Sequence, residues 1–339
     1  MLNVALIGLG DVSKIHVSTI RNNPDVSLVA VSDINEKMKT AVPEAKFYND
    51  YTEMLDNERL DCVHICLPHH LHYEATKKCM DKGIHVYLEK PLAHTVDEGQ
   101  AIVALEEKYP NTKICISLQN RLNDTFCALK DEVQSGQYGK ILGVRGLVTW
   151  FRPESYYTSK LWRGKQELAG GGVLINQAIH TLDLMQVLGG DVKEIKGSVS
   201  NLHNYNLDVE DTAVANITFT NKAKGLLFAT TTNAVDSSVE LQVVCESAEF
   251  TIRNEVLYKT TPQVDEVQLA ADVKLGDDKF YYGEGHSKLI NHFYKCIVEN
   301  RSDYIHAQDA LMSLILIDSI IKSSAENKQI NMQEMIINK

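Results

Sequence analysis

The chain has 339 residues, 44% hydrophobic and 23% charged, with 34 Lys and Arg against 45 Asp and Glu for a net charge of −11. That length favours two domains of about 100–200 residues each, and the composition is that of a globular protein without long disordered tracts. The acidic balance argues against a nucleic-acid partner, whose phosphates call for clustered Lys and Arg.

In chain order, apolar runs at 3–8, 27–33, 62–67, 85–90 and 113–119 read as strands, with helical patterns between them at 13–22, 35–40, 71–81 and 96–107. Residues 2–9 have no basic segment before them and run into Gly8-Leu9-Gly10, so they read as a first strand and not as an export signal. Runs such as Val4-Ala5-Leu6-Ile7 are apolar on both faces, as strands covered by helices on each side must be. This βαβ alternation predicts an α/β fold with a doubly wound parallel sheet of the Rossmann type. The rhythm then changes, which places a domain boundary near residue 120. A helical stretch at 174–188 is followed by segments of period two. Ala213, Ala215, Ile217 and Phe219 alternate with mainly polar neighbours, as do Val239, Leu241, Val243 and Cys245, and Phe250 and Ile252 continue the habit. One apolar and one largely polar face predict a large, open, mainly antiparallel sheet in an α+β domain over 121–339. Helices at 284–300 and 306–325 close the chain and are candidates to pack back on the first domain. No run reaches the roughly 18–20 apolar residues of a membrane span. The seven cysteines, with no Cys-x-x-Cys pair, read as reduced, mostly buried thiols of a cytoplasmic protein.

Gly8-Leu9-Gly10-Asp11-Val12-Ser13 follows the first strand and opens the first helix. Gly8 permits a tight turn and Gly10 a close approach of backbone to a pyrophosphate at the helix N-terminus. Asp11 and Val12 complete the turn, and Ser13 replaces the third glycine of the pattern. Asp33 ends the second strand, where a carboxylate accepts from ribose hydroxyls and repels a 2′-phosphate. NAD is therefore favoured, with NADP left open by nearby Lys37. Leu67-Pro68-His69-His70-Leu71-His72 and Glu89-Lys90-Pro91 leave two further strands at their carboxyl ends, where open α/β sheets bind ligands. No metal is expected, because His-His-x-His at a turn converges poorly and no Cys or carboxylate set stands at ligand spacing. His64 and His85, inside strands, read as hydrogen-bonded core or edge residues.

With these residues assembled, the chain resembles the Gfo/Idh/MocA oxidoreductases, the relatives of glucose–fructose oxidoreductase and inositol dehydrogenase. The resemblance rests on Gly8-x-Gly10, on Pro68-x-x-x-His72, on Gly83-Ile84-His85-Val86-Tyr87-Leu88-Glu89-Lys90-Pro91, and on Gly170-Gly171-Gly172 followed by His180-x-x-Asp183. Val209-Glu210-Asp211-Thr212 and the terminal helix extend it over nearly the whole chain. It implies a Rossmann domain over 1–120, a C-terminal substrate domain, and a homodimer or homotetramer formed through the C-terminal sheet. It further implies NAD(P)-dependent oxidation or reduction at a carbon bearing oxygen, on a sugar, polyol or sugar derivative.

Hydride removal from a secondary alcohol needs a base within reach of its hydroxyl. Lys90 fits if burial and a cationic nicotinamide lower its pKa, and the matching lysine of the family is catalytic and substrate-binding. Asn176, His180 and Asp183 stand at i, i+4 and i+7, one face of a helix. His180 can pass a proton and Asp183 can fix its tautomer. Asn176 stands where the commonest family pattern has Asp, so it orients hydroxyls and shifts proton transfer to Lys90 and His180. The Asn176-Gln177 pair leans toward modified or nucleotide-linked sugars. Substrate binding is expected of Lys90, Arg121, Tyr156, Asn176, Gln177 and His180, with ion pairing to an acidic neighbour as the plain alternative for Arg121. Cofactor contacts are expected of the Gly8–Val12 turn, Asp33, Leu67, Pro68, His69, His72, Glu89, Lys90, Gln119, Trp162 and Arg163, the last two equally able to fill a seam. Two other classes stay open, a glycosidase acting through transient oxidation by held NAD and a non-enzymatic dinucleotide-binding regulator.

Overall fold

Strand β1 (Leu2–Ile7) buries Val4 through Ile7 almost completely, as its unbroken apolar run requires. It lies inside a sheet with β2 (Val26–Ser32), β3 (Lys46–Tyr48), β4 (Cys62–Ile65), β5 (His85–Leu88) and β6 (Ile114–Ile116). The order is β3-β2-β1-β4-β5-β6 and every pairing is parallel. Helices α1 (Ser13–Arg21), α2 (Tyr51–Asn57), α3 (His72–Asp81) and α4 (Val96–Lys108) make the crossovers. The order reverses between β1 and β4, a switch point at which strand ends open a crevice. The computed structural model describes residues 1–203, 205–273 and 284–337. The first unit comprises residues 1–119 and 285–311, and so includes α9 (Gly285–Val298).

Several expected elements shift. The edge strand β3 and helix α2 were not foreseen, because a three-residue strand is too short to show a period. The helix expected at 35–40 is a single 3₁₀ turn, Glu36–Thr40, that buries nothing. Strands expected to run to residues 67 and 90 stop at Ile65 and Leu88, which releases the two following segments as turns.

The second unit, residues 120–284 and 312–339, carries nine strands in the order β14-β13-β12-β11-β7-β10-β9-β8-β15. These are β7 (Ile141–Thr149), β8 (Val192–Ser200), β9 (Thr212–Phe219), β10 (Lys224–Thr230), β11 (Glu240–Cys245), β12 (Glu249–Arg253), β13 (Val256–Thr261), β14 (Val264–Ala271) and β15 (Ile330–Asn331). All neighbours are antiparallel except β7 and β10. The expected alternation is realised in most positions: Ala213, Ala215, Ile217 and Phe219 are buried, as are Leu241, Val243, Cys245 and Phe250, whereas Val239 and Ile252 are only partly buried. Helix α5 (Asp124–Gln134), the short α6 (Glu154–Thr158) and α7 (Gln166–Ala169), then α8 (Ile179–Gly189), belong to the same unit. Helix α10 (Ala307–Glu326) crosses from the first unit's residues to the second's, and α11 (Met332–Ile337) follows. Six of the seven cysteines are buried and none forms a disulfide. Among the described residues, no helix is long and apolar enough to cross a membrane.

Candidate active site

The turn after β1 is built for close approach. Gly8 has φ +90°, and a Cβ there would lie 2.5 Å from the Cys66 carbonyl oxygen, so only glycine fits. Ser13, in place of the third glycine, donates its hydroxyl to the Gly10 carbonyl at 2.7 Å. Asp33 accepts from the Leu9 N–H through Oδ2 at 2.7 Å and from the Asn35 N–H through Oδ1 at 2.8 Å. Its carboxylate thus ties the glycine turn to the end of β2 and keeps lone pairs for hydroxyl donors. A cavity of about 300 Å³ beside α1 is lined by Leu9, Lys14, Val17, Met38 and Val42. Its lining includes neither Gly10 nor Asp33, so it is distinct from the expected dinucleotide contacts there.

Beyond β4, Leu67 and Pro68 are partly exposed while His69 is 5% exposed and His72 is fully buried. The His72 ring lies between the Pro91 carbonyl (Nδ1, 2.8 Å) and the Leu67 carbonyl (Nε2, 2.9 Å). Burial lowers its pKa, opposed by those two carbonyls. A neutral ring has one N–H, so it donates to one of these two carbonyls and packs against the other, away from solvent. Glu89, also expected at the cofactor, turns inward. Its side chain is buried, with Oε1 at 2.9 Å from His16 Nε2 and 3.4 Å from His286 Nε2. Burial works against the Glu89 carboxylate, yet the His16 and His286 contacts hold its pKa well below the usual range. From Val86 to Ala93, Lys90 alone is not buried. The Lys90–Pro91 peptide is cis. Gln119, 3% exposed, faces the Ser117 hydroxyl.

The second unit gathers the other candidates. A Cβ on Gly172 would stand 1.7 Å from the Glu210 carbonyl oxygen, so this position too admits only glycine. The buried Glu210 carboxylate accepts from the Gly172 and Leu174 N–H groups at 2.8 and 2.9 Å. Burial raises its pKa and those two bonds oppose the rise. The run then makes a π turn over Leu174–Ala178 before α8 begins. Between Gly171 and His180 every residue is buried except Asn176 and His180. Asn176 Nδ2 donates to the Gly171 and Gly172 carbonyls at 3.2 and 3.1 Å, which an Asp at that position could not do. Asp183 points inward, 2% exposed, and is gripped by Arg121 through two bonds of 2.8 and 2.6 Å. That fork is the plain alternative foreseen for Arg121. The same fork engages both oxygens of Asp183, the carboxylate expected to serve the His180 ring. Ser313 adds a contact to Asp183 at 3.4 Å. Gln177 Nε2 donates to the Tyr156 hydroxyl at 3.0 Å, and the Arg163 guanidinium lies 4.2 Å over the Tyr156 ring. Trp162 is 5.8 Å from the same guanidinium, so Tyr156, Trp162, Arg163 and Gln177 form one cluster.

Two groups of metal-type donors converge, His16–Glu89–His286 and His292–Cys296–Asp303. In the first, His16 is engaged on both nitrogens, by Glu89 and by His64 Nδ1 at 2.7 Å. In the second, Asp303 is forked by Arg301, and His292 Nε2 meets the Asp303 carbonyl at 2.6 Å. Both sets are held by hydrogen bonds among protein groups. His64 and His85 are hydrogen-bonded as expected: His64 Nε2 is 2.7 Å from the Tyr294 hydroxyl, and His85 Nδ1 accepts from the Lys113 N–H at 2.9 Å. His16, His286 and Tyr294 were not anticipated. The signal for His16 was its spacing, since Ser13, His16, Val17 and Ile20 mark the buried face of α1.

Residues 2–116 match the model of an oxidoreductase family with an NAD-binding Rossmann fold, and residues 126–251 match the GFO/IDH/MocA C-terminal domain. The chain is 23% identical to myo-inositol 2-dehydrogenase of Thermotoga maritima, across 99% of this chain and 100% of that one. It is 32% identical to D-glucoside 3-dehydrogenase of Escherichia coli over 56% of this chain and 54% of that one. Among solved structures, the WlbA dehydrogenase of Bordetella pertussis in complex with NADH and UDP-GlcNAcA superposes with a TM-score of 0.85 at 25% identity, covering 97% of this chain and 98% of that one.

Proposed function

The chain belongs to the GFO/IDH/MocA family of NAD-binding oxidoreductases, and from that premise we propose that it moves a hydride between NAD(H) and a secondary alcohol or ketone carbon of a sugar, polyol or sugar derivative. One observation carries this reading. In each unit a fully buried run opens at polar residues alone, at Lys90 after β5 and at Asn176 and His180 ahead of and within α8. The turn at Gly8, where a Cβ would meet the Cys66 carbonyl, fits the tight turn of the dinucleotide pattern, which leaves Gly10 for the approach of a pyrophosphate. Bound there, NAD supplies the hydride acceptor.

The chain's own residues supply the rest. Gly8–Val12 and Asp33 hold the dinucleotide, with Leu67 and Pro68 at the next strand end. Lys90 accepts the hydroxyl proton on oxidation and returns it on reduction, and His180 is the second group assigned to that proton. Asn176, its amide nitrogen spent on the Gly171 and Gly172 carbonyls, offers its oxygen to a substrate hydroxyl. Tyr156, Gln177, Trp162 and Arg163 supply an aromatic and cationic wall suited to a sugar or its charged substituent. Nucleotide-linked or otherwise modified sugars are the preferred class, in keeping with the UDP-sugar of the WlbA structure. The first unit, centred on residues 1–120, is assigned to NAD, and the C-terminal unit to substrate and to a homodimer or homotetramer through its sheet. The compartment assigned is the cytoplasm, in keeping with seven cysteines of which none forms a disulfide.

The test is a screen of NAD reduction against sugars, polyols and nucleotide sugars, repeated with Lys90→Ala. Activity on one of these classes, lost by at least about a hundredfold in the variant while NADH binding persists, is expected. Turnover that survives Lys90→Ala overturns the role of the lysine, and glycoside cleavage without net NADH makes the chain a hydrolase.

A further inference from the structure

Strand β5 ends at Leu88, so the placing of Lys90 depends on what holds Glu89 and Pro91. On the Glu89 side runs a chain of three hydrogen bonds inside the first unit. Tyr294 OH is 2.7 Å from His64 Nε2, His64 Nδ1 is 2.7 Å from His16 Nδ1, and His16 Nε2 is 2.9 Å from Glu89 Oε1. Only one order of protons satisfies all three with neutral rings. An ionised carboxylate accepts, so His16 Nε2 donates to it, and a neutral His16 then accepts at Nδ1. His64 must donate from Nδ1, which leaves Nε2 to accept from the tyrosine hydroxyl. Burial lowers the pKa of both His16 and His64, the latter strongly, and raises that of Tyr294, as this order requires. On the Pro91 side, His72 sits between the Pro91 and Leu67 carbonyls. The His16 and His72 rings are both fully buried, so neither meets a substrate.

We propose that His16 and His72 are positioning residues for Lys90: His16 anchors the residue before it through Glu89, and His72, carrying its one hydrogen on Nδ1, anchors the residue after it through the Pro91 carbonyl. The proposal rests on the reading that Lys90 serves the reaction, and it gives that lysine a base-like fixity that a strand end alone does not. A reacting group displaced by about 1 Å can lose two orders of magnitude in rate, so fixing both neighbours matters.

The two rings bond through opposite nitrogens toward Lys90, and this sets the experiment. Asparagine places its amide nitrogen near the position of histidine Nδ1, and glutamine near that of Nε2. His72→Asn and His16→Gln therefore preserve the anchoring bonds, whereas His72→Gln and His16→Asn lose them. Each full-length variant, saturated with NADH and checked by circular dichroism, is labelled with acetic anhydride. The rate at Lys90 is read by mass spectrometry against exposed Lys108. The two bond-losing variants should raise the Lys90 rate about five- to tenfold, the worth of one buried hydrogen bond, and the two preserving variants should stay within about twofold of the parent. Equal rates in all four natively folded variants, or the reverse pattern, overturn the proposal. Should one site fail to fold on substitution, the pair at the other decides. Labelling reads the amine and not turnover, so an active Lys90→Ala enzyme refutes the catalytic reading separately.

Discussion

Mild acid should destabilise the first unit through its buried histidines, with a sign and a ceiling that follow from the hydrogen-bond order. His16 and His64 face each other through their Nδ1 atoms at 2.7 Å, so a proton added to His16 would set N–H against N–H, and one added to His64 would go to Nε2 and break the bond donated by the Tyr294 hydroxyl. Burial lowers both pKa values from 6.5. A histidine with a lowered folded pKa is protonated first in the unfolded chain, so stability is lost as pH falls below 6.5 and the loss continues until the folded pKa is reached. Each such group contributes at most about 1.4 kcal/mol per pH unit. Between pH 7 and 5.5, an unfolded histidine of pKa about 6.5 contributes about 1.2 kcal/mol, which puts the ceiling for the pair near 2.5 kcal/mol. His306 works the other way. Burial opposes protonation, but Glu106 at 2.6 Å raises its pKa, so its contribution is present below 6.5 and lost as pH rises through the folded value. Urea unfolding followed by far-ultraviolet circular dichroism at pH 7 and 5.5 measures the net change. His64→Gln should remove about half of the pair's share, roughly 1.2 kcal/mol of the pH-dependent loss, whatever it does to stability at pH 7. A pH-dependent loss identical in parent and variant would refute the neutral, ordered chain.

Removing Arg121 should strand a buried carboxylate. Arg121→Met is expected to cost about 3–5 kcal/mol, and adding Asp183→Leu should recover part of it in a double-mutant cycle by urea unfolding; a single-variant cost under about 1 kcal/mol contradicts the fork as an anchor. Gly172→Ala forces a Cβ onto the Glu210 carbonyl at 1.7 Å and should lower the thermal midpoint by several degrees, whereas an unchanged midpoint shows that the turn can move. Fluorescence titration should find NADH bound at least about tenfold more tightly than NADPH. Asp33→Ala should narrow that ratio, and equal affinities in the parent remove Asp33 as the selector.

What could be read from the sequence was local. The β1 turn and α1 are contiguous, so Gly8, Gly10 and Ser13 announce themselves by spacing, and Ser13 does bond back to Gly10. The second sheet was legible because one covered face imposes period two on every strand. The surroundings of the 174–188 helix were not. A π turn over Leu174–Ala178 alters the step from Asn176 to His180, while His180 and Asp183 keep regular spacing inside α8. What spacing could not show was the partner of Asp183, Arg121, 62 positions earlier. The histidine chain was likewise out of reach, since its links join residues 48, 73 and 230 positions apart.

The buried polar groups share one placement. Glu89 precedes Lys90, Asp183 lies one helical turn past His180, and Glu210 clamps the glycine run one turn before Asn176. Burying a carboxylate costs several kcal/mol before its partners repay it, and an apolar set of equal volume would often be as stable. Stability alone is therefore a poor account of three such carboxylates standing beside the three polar residues that open to solvent. Apolar packing fixes a volume, whereas directional hydrogen bonds fix an orientation. Proton transfer is sensitive to orientation, and that is the property these anchors would confer on Lys90, Asn176 and His180 in the proposed reaction.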